Sequence, residues 1–341
     1  MRATVLNGPR DIRVEDVPDA TLIDPTDAVI RTVATCICGS DLWGYRGINP
    51  TPQPRRIGHE AVGVVTDVGE DVHNVNPGDW VIIPFFAACG RCRACEAGRP
   101  FGCPNLAWYD GCQAESIRVP WADATCVVVP GGDPDPEHVP SLLTISDVMG
   151  TGWHAAVSAG VGPGSTAVVV GDGAVGLCAV LAAKSLGAER IIAMSRHEDR
   201  ATLARRFGAT DIVAERDREG VDRIRELTDG WGAESVLECV GTDSSLAQAI
   251  GCAAPGGTVG WVGVPHQATS HQEALFRRNI ALRGGMAPTR IYAEDLLARV
   301  LDGRIDPGLV LDQTVGLSEV AEGYALMDQR RAIKVMVDPT R

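Results

Sequence analysis

The sequence predicts an α/β protein with a β-rich, barrel-like domain and a second domain built on a parallel, doubly wound sheet of six strands. Three observations carry this prediction. Short Val- and Gly-rich runs separated by turn residues fill the first 148 residues, apolar strands alternate with helices from about residue 150, and a G-x-G-x-x-G turn opens the alternating part. The 341 residues are enough for two such domains.

The elements follow in that order along the chain. The runs DAVIRTVATC, EAVGVVTDVGEDV and GDWVIIPF predict short strands in residues 1–148. In residues 149–286 the predicted strands are STAVVV, ERIIAMSR, TDIVAE, ESVLECVG, GGTVGWVGVP and NIALRGG, with helices between them. Residues 287–341 hold the helix AEDLLARVLDG and the strand IKVMVD, which we expect to return to the first domain.

Composition argues against several classes of function. The 31 basic and 44 acidic side chains give a net charge of -13, which disfavours nucleic acid or an anionic membrane surface as a partner. The N-terminal MRATVLNGPRDIRVEDV has no apolar core of the kind that an export signal needs. The most apolar stretch, 165–187, is interrupted by Asp172 and glycines, so it is not a membrane span. A cytoplasmic protein is expected.

Four cysteines lie within the segment CGRCRACEAGRPFGC, residues 89–103, at C-x2-C-x2-C-x7-C spacing. In a reducing compartment such cysteines are thiols or metal ligands rather than disulfides. The spacing favours a tetrahedral zinc over four unrelated surface thiols, and four protein ligands leave no position for substrate. We therefore predict a structural zinc lobe held by Cys89, Cys92, Cys95 and Cys103.

The segment VVVGDGAVG places the G-x-G-x-x-G turn between a strand and a helix, the context in which it binds a dinucleotide. Gly171 permits the tight turn, Gly173 lets the backbone approach a pyrophosphate, and Gly176 lets helix and strand pack closely. The helix start at Ala174 and Val175 offers amide donors to the phosphates. A glycine turn without a ligand is the alternative.

The end of the second strand bears on which dinucleotide binds. NAD sites place an acid there, whereas this chain has Ser195 followed by Arg196, which can bind a 2′-phosphate. The alternative is that Arg196 is a solvated charge, and Glu198 and Asp199 nearby weaken the positive field. We favour NADP(H) over NAD(H).

A second metal site is suggested by CICGSD, IGHEAVG and LLTISDVMGTGWHAA, although a single Cys and a single His are more often structural residues than ligands. They supply a thiol at Cys38, an imidazole at His59 and a further oxygen ligand at Asp147. Asp41 could hold the outer nitrogen of His59 and fix the tautomer that faces a metal.

With these motifs the chain resembles the zinc-dependent medium-chain alcohol dehydrogenases over essentially its whole length. The matching pieces are CGSD, GHE, the four-cysteine lobe, SDVMGTGWHAA, VVGDGAVG, ECVG, VGV and IKV. The resemblance implies a GroES-like catalytic domain interrupted by a Rossmann domain. Within the family, SDVMGTGWHAAVSAGVGPGS is similar to the formaldehyde dehydrogenase branch, and IIAMSR is similar to NADP-dependent secondary-alcohol dehydrogenases.

The resemblance also implies roles for single residues. Cys38, His59 and Asp147 match the catalytic zinc ligands, Glu60 matches the acid that can approach the metal, and Ser40 matches the hydroxyl that takes the alcohol proton. The cofactor contacts that it implies are Thr151, Val240, Val262, Val264 and Lys334, with Thr151 at the nicotinamide, Val264 near the carboxamide and Lys334 at the phosphates.

The activity so implied is hydride transfer between NADP(H) and an alcohol/aldehyde or alcohol/ketone pair, with two zinc ions per chain and a homodimer or homotetramer paired through the Rossmann sheet edge. One departure concerns Trp43, which stands where many members have a proton-passing histidine and cannot titrate. We expect Trp43 to pack at the pocket mouth and the proton to leave by another route, through Ser40, the cofactor ribose and water. Trp43, Phe85 and Trp108 are candidates for an apolar substrate pocket, although aromatic residues are more often ordinary core.

Two other interpretations stay open at this point. The first is an NAD-dependent aldehyde dehydrogenase or dismutase of the formaldehyde type, although that branch often carries insertions for which this chain has no room. The second is a non-enzymatic protein that kept the fold, against which the joint presence of Cys38, His59 and Asp147 argues.

Overall fold

The computed structural model describes residues 1–48, 52–265 and 271–341. The chain divides into two compact units, one formed by 1–147 with 288–341 and the other by 148–287. The predicted boundaries after residues 148 and 286 each lie within one residue of these divisions. Within the described ranges, no helix is long and apolar enough to cross a membrane.

The first unit starts with strands rich in Val, Ile and Ala, whose branched side chains pack well on a pleated surface. Its strands up to residue 147 are β1 (Arg2–Gly8), β2 (Asp11–Asp16), β3 (Ala28–Cys36), β4 (Arg55–Arg56), β5 (Ala61–Val68), β6 (Trp80–Ile83), β7 (Phe86–Ala87), β8 (Ala107–Trp108), β9 (Ser116–Val119) and β10 (Val127–Val128). Its helices there are α1 (Asp41–Tyr45), α2 (Arg93–Glu96), α3 (Ala122–Thr125) and α4 (Val139–Ile145).

The second unit alternates strands and helices, as predicted. Its strands are β11 (Thr166–Val170), β12 (Arg190–Met194), β13 (Asp211–Val213), β14 (Ala233–Glu238), β15 (Ala253–Trp261) and β16 (Ala281–Gly284). Its helices are α5 (Val148–Ser158), α6 (Ala174–Ser185), α7 (Glu198–Phe207), α8 (Asp217–Leu227), α9 (Asp243–Cys252) and α10 (Gln272–Arg278).

The six strands of this unit form one parallel sheet in the order β13-β12-β11-β14-β15-β16. That order is the doubly wound arrangement of a Rossmann fold, so the predicted fold class is confirmed. Strands buried on both faces need continuous apolar runs, and the core includes Val168, Ile192, Val236 and Val259, each 0% exposed.

The last segment completes the first unit with α11 (Thr289–Leu301), β17 (Gln313–Gly316), α12 (Val320–Asp328) and β18 (Val335–Asp338). Strand β18 pairs antiparallel with β3 and parallel with β17, which gives a sheet in the order β10-β6-β5-β3-β18-β17 with β9 also on β3. Two smaller sheets have the orders β2-β1-β4 and β7-β8. The end of β3 therefore lies deep in the unit, and the residues that follow it reach the site described next.

Candidate metal and cofactor sites

The predicted cysteine lobe lies between β7 and β8 in the first unit. Cys89 follows β7, Cys92 precedes α2, Cys95 lies in α2, and Cys103 follows a single 3-10 turn at Pro100–Gly102. The Sγ atoms of Cys92 and Cys95 are 3.5 Å apart, as are those of Cys89 and Cys103, and all four lie within 4.8 Å of one another. Zinc–sulfur bonds of about 2.3 Å in a tetrahedron separate the sulfurs by about 3.8 Å, so the four thiols fit a zinc ion.

Two thiols of the lobe, those of Cys89 and Cys95, have pKa values shifted in opposite directions. Partial burial raises the pKa of Cys89, but the backbone amide of Arg91 and the Cys103 thiol outweigh it and lower the pKa to about 6. Burial and the neighbouring Cys92 thiol raise the pKa of Cys95 to about 12. A zinc ion binds thiolates, so its binding would release the protons that these thiols share.

A second cluster in the first unit joins three residues that are far apart in sequence. Cys38 follows β3, His59 precedes β5, and Asp147 follows α4. Asp147 Oδ2 lies 3.5 Å from His59 Nε2 and 3.7 Å from Cys38 Sγ. Ligands about 2.0–2.3 Å from zinc stand roughly 3.4–3.6 Å apart, so this set also fits zinc, with three protein ligands from different segments.

Asp41 supports two of these ligands at once. Its Oδ2 accepts the backbone N–H of Cys38 at 3.0 Å, and its Oδ1 lies 3.4 Å from His59 Nδ1, the ring nitrogen away from Asp147. Burial works against a charged imidazole, but the charges of Asp41 and Cys38 outweigh it and raise the pKa of His59 well above its ordinary value. Asp41, itself 5% exposed, thus holds the imidazole with Nε2 toward the cluster.

Glu60 lies beside the same cluster and has a partner that sequence analysis missed. Its Oε1 accepts a hydrogen bond from Lys334 Nζ at 2.7 Å, and Nζ also donates to the carbonyl of Ile37 at 3.2 Å. Glu60 is 0% and Lys334 1% exposed. Among the described residues Glu60 Oε2 is buried without a hydrogen-bond partner, and a Glu60 oxygen lies within 4.8 Å of the other three ligand atoms.

Lys334 has a partner inside the first unit. It was predicted to reach cofactor phosphates, but its ammonium lies inside the first unit on a carboxylate, because a buried lysine needs a counter-charge. We therefore describe Lys334 as the ion-pair partner of Glu60, and the phosphate contact stays a prediction.

The remaining predicted residues of this unit lie as follows. Ser40 is exposed and immediately precedes α1. Phe85 meets His59 edge-on, with centroids 6.3 Å apart, and stacks with Trp108 at 6.2 Å. Trp43 lies on α1 with the Arg46 guanidinium 5.8 Å over its ring. The structure brings Phe85 and Trp108 together and adds Phe101, which sequence analysis did not single out.

In the second unit, the glycine turn joins β11 to α6. Gly171 has φ +116°, and a Cβ at Gly176 would lie 2.0 Å from the Gly171 carbonyl oxygen, so both positions require glycine. Gly173 precedes the first helical residues, Ala174 and Val175, and a Cβ there would meet no atom of the described structure within 4 Å. The backbone at the start of α6 is therefore open to a phosphate.

Ser195, directly after β12, contacts an acid in the glycine turn that follows β11. Its hydroxyl donates to Asp172 Oδ2 at 2.9 Å, and Asp172 also lies 3.6 Å from Arg200 and 3.7 Å from Arg216. Arg196 is exposed. Sequence analysis noted that position 195 has no acid, but it did not identify the carboxylate of Asp172. Asp172 occupies one of the x positions of the G-x-G-x-x-G motif, where any residue is allowed.

Two loops follow β14 and β15 at the carboxyl edge of the sheet. Val240 and Val264 on them are 40% and 52% exposed, and Val262 is half-buried. Glu238, also missed by sequence analysis, is 0% exposed and accepts the backbone N–H groups of Val240 and Gly241, both at 2.9 Å.

These loops are the usual place for a ligand on a doubly wound sheet. Thr151, the other predicted nicotinamide contact, lies half-buried in α5.

Two protein-family models match this chain. The family model described as an alcohol dehydrogenase GroES-like domain matches residues 24–131, and that described as a zinc-binding dehydrogenase matches residues 174–302. A "Probable zinc-binding alcohol dehydrogenase" of Mycobacterium tuberculosis is 37% identical over 95% of this chain and 85% of its own length. A glutathione-independent formaldehyde dehydrogenase of Bacillus subtilis is 29% identical over 99% of this chain and 97% of its own.

Among solved structures, an alcohol dehydrogenase from Thermus sp. ATN1 has a TM-score of 0.91 and 33% identity, covering 99% of each chain.

Proposed function

Because this chain belongs to the zinc-binding alcohol dehydrogenase family, we propose that it is an oxidoreductase that transfers hydride between NADP(H) and an alcohol/aldehyde or alcohol/ketone pair. The observation that carries the proposal is the convergence of Cys38, His59 and Asp147 from three separate segments. Three protein ligands are typical of a catalytic zinc, whereas the four-thiol lobe is typical of a structural one.

Several residues of the first unit would have separate roles around a metal bound by Cys38, His59 and Asp147. Zinc bound there would supply a Lewis acid that polarises the substrate oxygen. Asp41 keeps His59 in the orientation and tautomer that a metal needs. Ser40 is exposed and can take the alcohol proton. Trp43 cannot titrate, so it takes no part in moving that proton onward from Ser40.

The preference for NADP(H) is supported by charge at the end of β12. Arg196 is exposed there, and Arg200 and Arg216 lie near by around the single carboxylate of Asp172. Glu198, which weakens the positive field in the sequence, has an ion pair with Arg205 at 3.1 Å. Guanidinium groups bind a phosphate strongly, so the local excess of positive charge favours the 2′-phosphate.

A second candidate is an NAD-dependent aldehyde dehydrogenase or dismutase of the formaldehyde type. The relative from Bacillus subtilis favours it, but its 29% identity is lower than the 37% of the alcohol dehydrogenase relative. The two candidates differ in products: a dismutase converts an aldehyde to equal amounts of alcohol and acid without added cofactor.

We also propose a homodimer or homotetramer paired through β16. This strand ends the six-stranded sheet, and its residues are largely exposed, so its outer backbone groups can pair with a second copy. Light scattering coupled to size exclusion tests this, and a monomer at micromolar concentration would contradict it.

The function is tested by following NADPH and NADH oxidation with a panel of aldehydes and ketones, on protein of known zinc content. The proposal expects turnover with kcat/KM higher for NADPH than for NADH. Equal amounts of acid and alcohol from an aldehyde alone, or reduction of added NAD+ by an aldehyde, would favour the second candidate. An absence of turnover in both directions on zinc-loaded protein would contradict both.

A further inference from the structure

An aromatic group in the first unit joins the cysteine lobe to the second metal cluster. Phe101 belongs to the lobe, in the turn at Pro100–Gly102 just before Cys103. Its ring is nearly parallel to that of Trp108, at 6.0 Å and 14°, and to that of Phe85, at 6.4 Å and 27°. Phe85 and Trp108 are 6.2 Å apart at 18°, so the three rings form one continuous apolar surface.

One end of this surface reaches the metal ligands. Phe85 lies 6.3 Å from the His59 ring with a 75° angle between the planes, which places its edge or face against the imidazole. Phe85 is therefore the part of this surface that lies next to the metal cluster. Trp108 and Phe101 extend the same apolar surface away from Phe85, and we call the surface of these three rings the wall.

The other side of the group is anchored. Phe86 is 2% exposed and contacts Phe85 at 5.2 Å and Phe101 at 4.7 Å. Phe86 is also paired with Trp108 across the β7–β8 ladder. Trp108 in contrast is 55% exposed, although it makes two ring stacks. A large indole held in place by stacking yet left open is suited to contact a ligand rather than to fill a core.

We propose that Phe101 is a specificity-determining residue that positions Trp108 and Phe85 and so lets the cysteine lobe set the size range of the substrate. The proposal rests on the proposed function, since it assigns substrate contact to this wall. Phe101 acts through the other two rings: replacing it by an aliphatic residue would let Trp108 turn away from Phe85, and the wall would lose contact with a bulky substrate. A small substrate reaches only the part of the wall at His59.

The test compares Phe101→Leu, which keeps an apolar side chain but removes the ring, with Phe101→Tyr, which restores it. Phe276→Leu is the matched control, because Phe276 is 85% exposed in the second unit. For each protein, kcat and KM are measured with benzaldehyde and acetaldehyde, and bound zinc is counted.

In Phe101→Leu we expect kcat/KM for benzaldehyde to fall about five- to tenfold, mainly through KM, as expected for the loss of a stacked ring pair. We expect acetaldehyde to change less than about twofold, the zinc content to stay unchanged, and Phe101→Tyr to recover most of the loss. An equal fall for both aldehydes, or no change for either, would overturn the proposal.

A measurement without turnover separates this proposal from the function itself. Benzyl alcohol should quench the fluorescence that Trp108→Phe removes, and the apparent Kd should rise about five- to tenfold in Phe101→Leu. If the protein turns over no carbonyl compound but quenching behaves as expected, the proposed function fails and the wall stands. If turnover occurs and benzyl alcohol has the same apparent Kd for Phe101→Leu and the wild type, the proposal for Phe101 is wrong while the proposed function still holds.

Discussion

The two cysteine-containing clusters of the first unit are built in different ways. The four-thiol lobe takes all its ligands from residues 89–103, around one short helix and one 3-10 turn. The other cluster takes Cys38, His59 and Asp147 from three separate segments, and its distances depend on β3, β5 and α4 packing correctly. The first is a local structure and the second is a product of the whole unit.

Because the two clusters are built differently, they suit different roles. Closely spaced cysteines surround an ion completely and stabilise a lobe that is short of other structure. Ligands from separate segments leave room for a substrate, but they need other residues to orient them, which Asp41 does for Cys38 and His59.

The largest effect is expected from His59→Ala. Loss of a ligand from the dispersed cluster should lower kcat/KM at least about a thousandfold, since a zinc Lewis acid contributes several kcal/mol to such reactions. The variant should keep the zinc of the cysteine lobe and unfold near the wild-type temperature. Steady-state kinetics, metal analysis and thermal unfolding check this, with the exposed His73→Ala as control. Near-wild-type turnover would remove His59 from the site.

For the lobe we expect the opposite pattern from Cys92→Ser. Without one thiolate the lobe should lose its zinc and several kcal/mol of stability, because metal binding there is coupled to folding. The dispersed cluster should keep its own ion. Metal analysis and urea unfolding measure both effects, and Cys239→Ser, outside both clusters, should lose no zinc. If Cys92→Ser keeps its full zinc content, the thiols do not form a cage.

The third prediction concerns the buried ion pair of Glu60 and Lys334, which lies beside the cluster of Cys38, His59 and Asp147. Lys334→Met leaves a carboxylate buried without its counter-charge, and we expect a loss of about 3–5 kcal/mol in the free energy of unfolding. The double variant Glu60→Gln with Lys334→Met should recover much of it, because neither charge then remains. Urea unfolding of four proteins, the wild type, Glu60→Gln, Lys334→Met and the double variant, gives the coupling directly, and additive losses would show that the pair is not a unit.

Asp41→Asn should have a smaller effect on the same cluster. Its amide can still approach His59, but it cannot fix the imidazole as a carboxylate does, so we expect about 10- to 100-fold weaker activity or zinc affinity. Zinc competition with a chelator and steady-state kinetics measure this. Wild-type values in both would show that Asp41 does not orient the ligands.

The smallest effect extends the comparison to the second unit. In Asp172→Asn the guanidinium groups of Arg200 and Arg216 lose their carboxylate partner, so the ratio of kcat/KM for NADPH to that for NADH should rise about three- to tenfold. Asp222→Asn, an exposed acid on α8, is the control. A ratio that falls instead would mean that Asp172 supports the positive groups rather than opposing them.

The same distinction decides what could be predicted from the sequence. The cysteine spacing, the glycine turn and the six strands are encoded in short continuous segments, and the structure contains all of them. Cys38, His59 and Asp147 were singled out from three short motifs, but only the family resemblance joined them into one catalytic ligand set, because their separation along the chain carries no local pattern.

The sequence did not reveal contacts between residues that are far apart along the chain. Lys334 meets Glu60 across 274 positions, and Asp172 meets Ser195 across 23. Phe101 is an unremarkable aromatic residue in the sequence, and only its parallel stack with Trp108 gives it meaning. Buried charges and ring stacks follow from packing, which no spacing rule reports.

The most direct test of two independently built clusters is the number of zinc ions bound per chain in the wild type and in His59→Ala. We predict about two ions in the wild type and about one in the variant, with carbonyl reduction lost in the variant. The contradicting result is one ion in the wild type, the same number in His59→Ala, and no carbonyl reduction by either protein. That result would agree with a zinc site in the cysteine lobe and contradict the assignment of Cys38, His59 and Asp147 as a catalytic metal site.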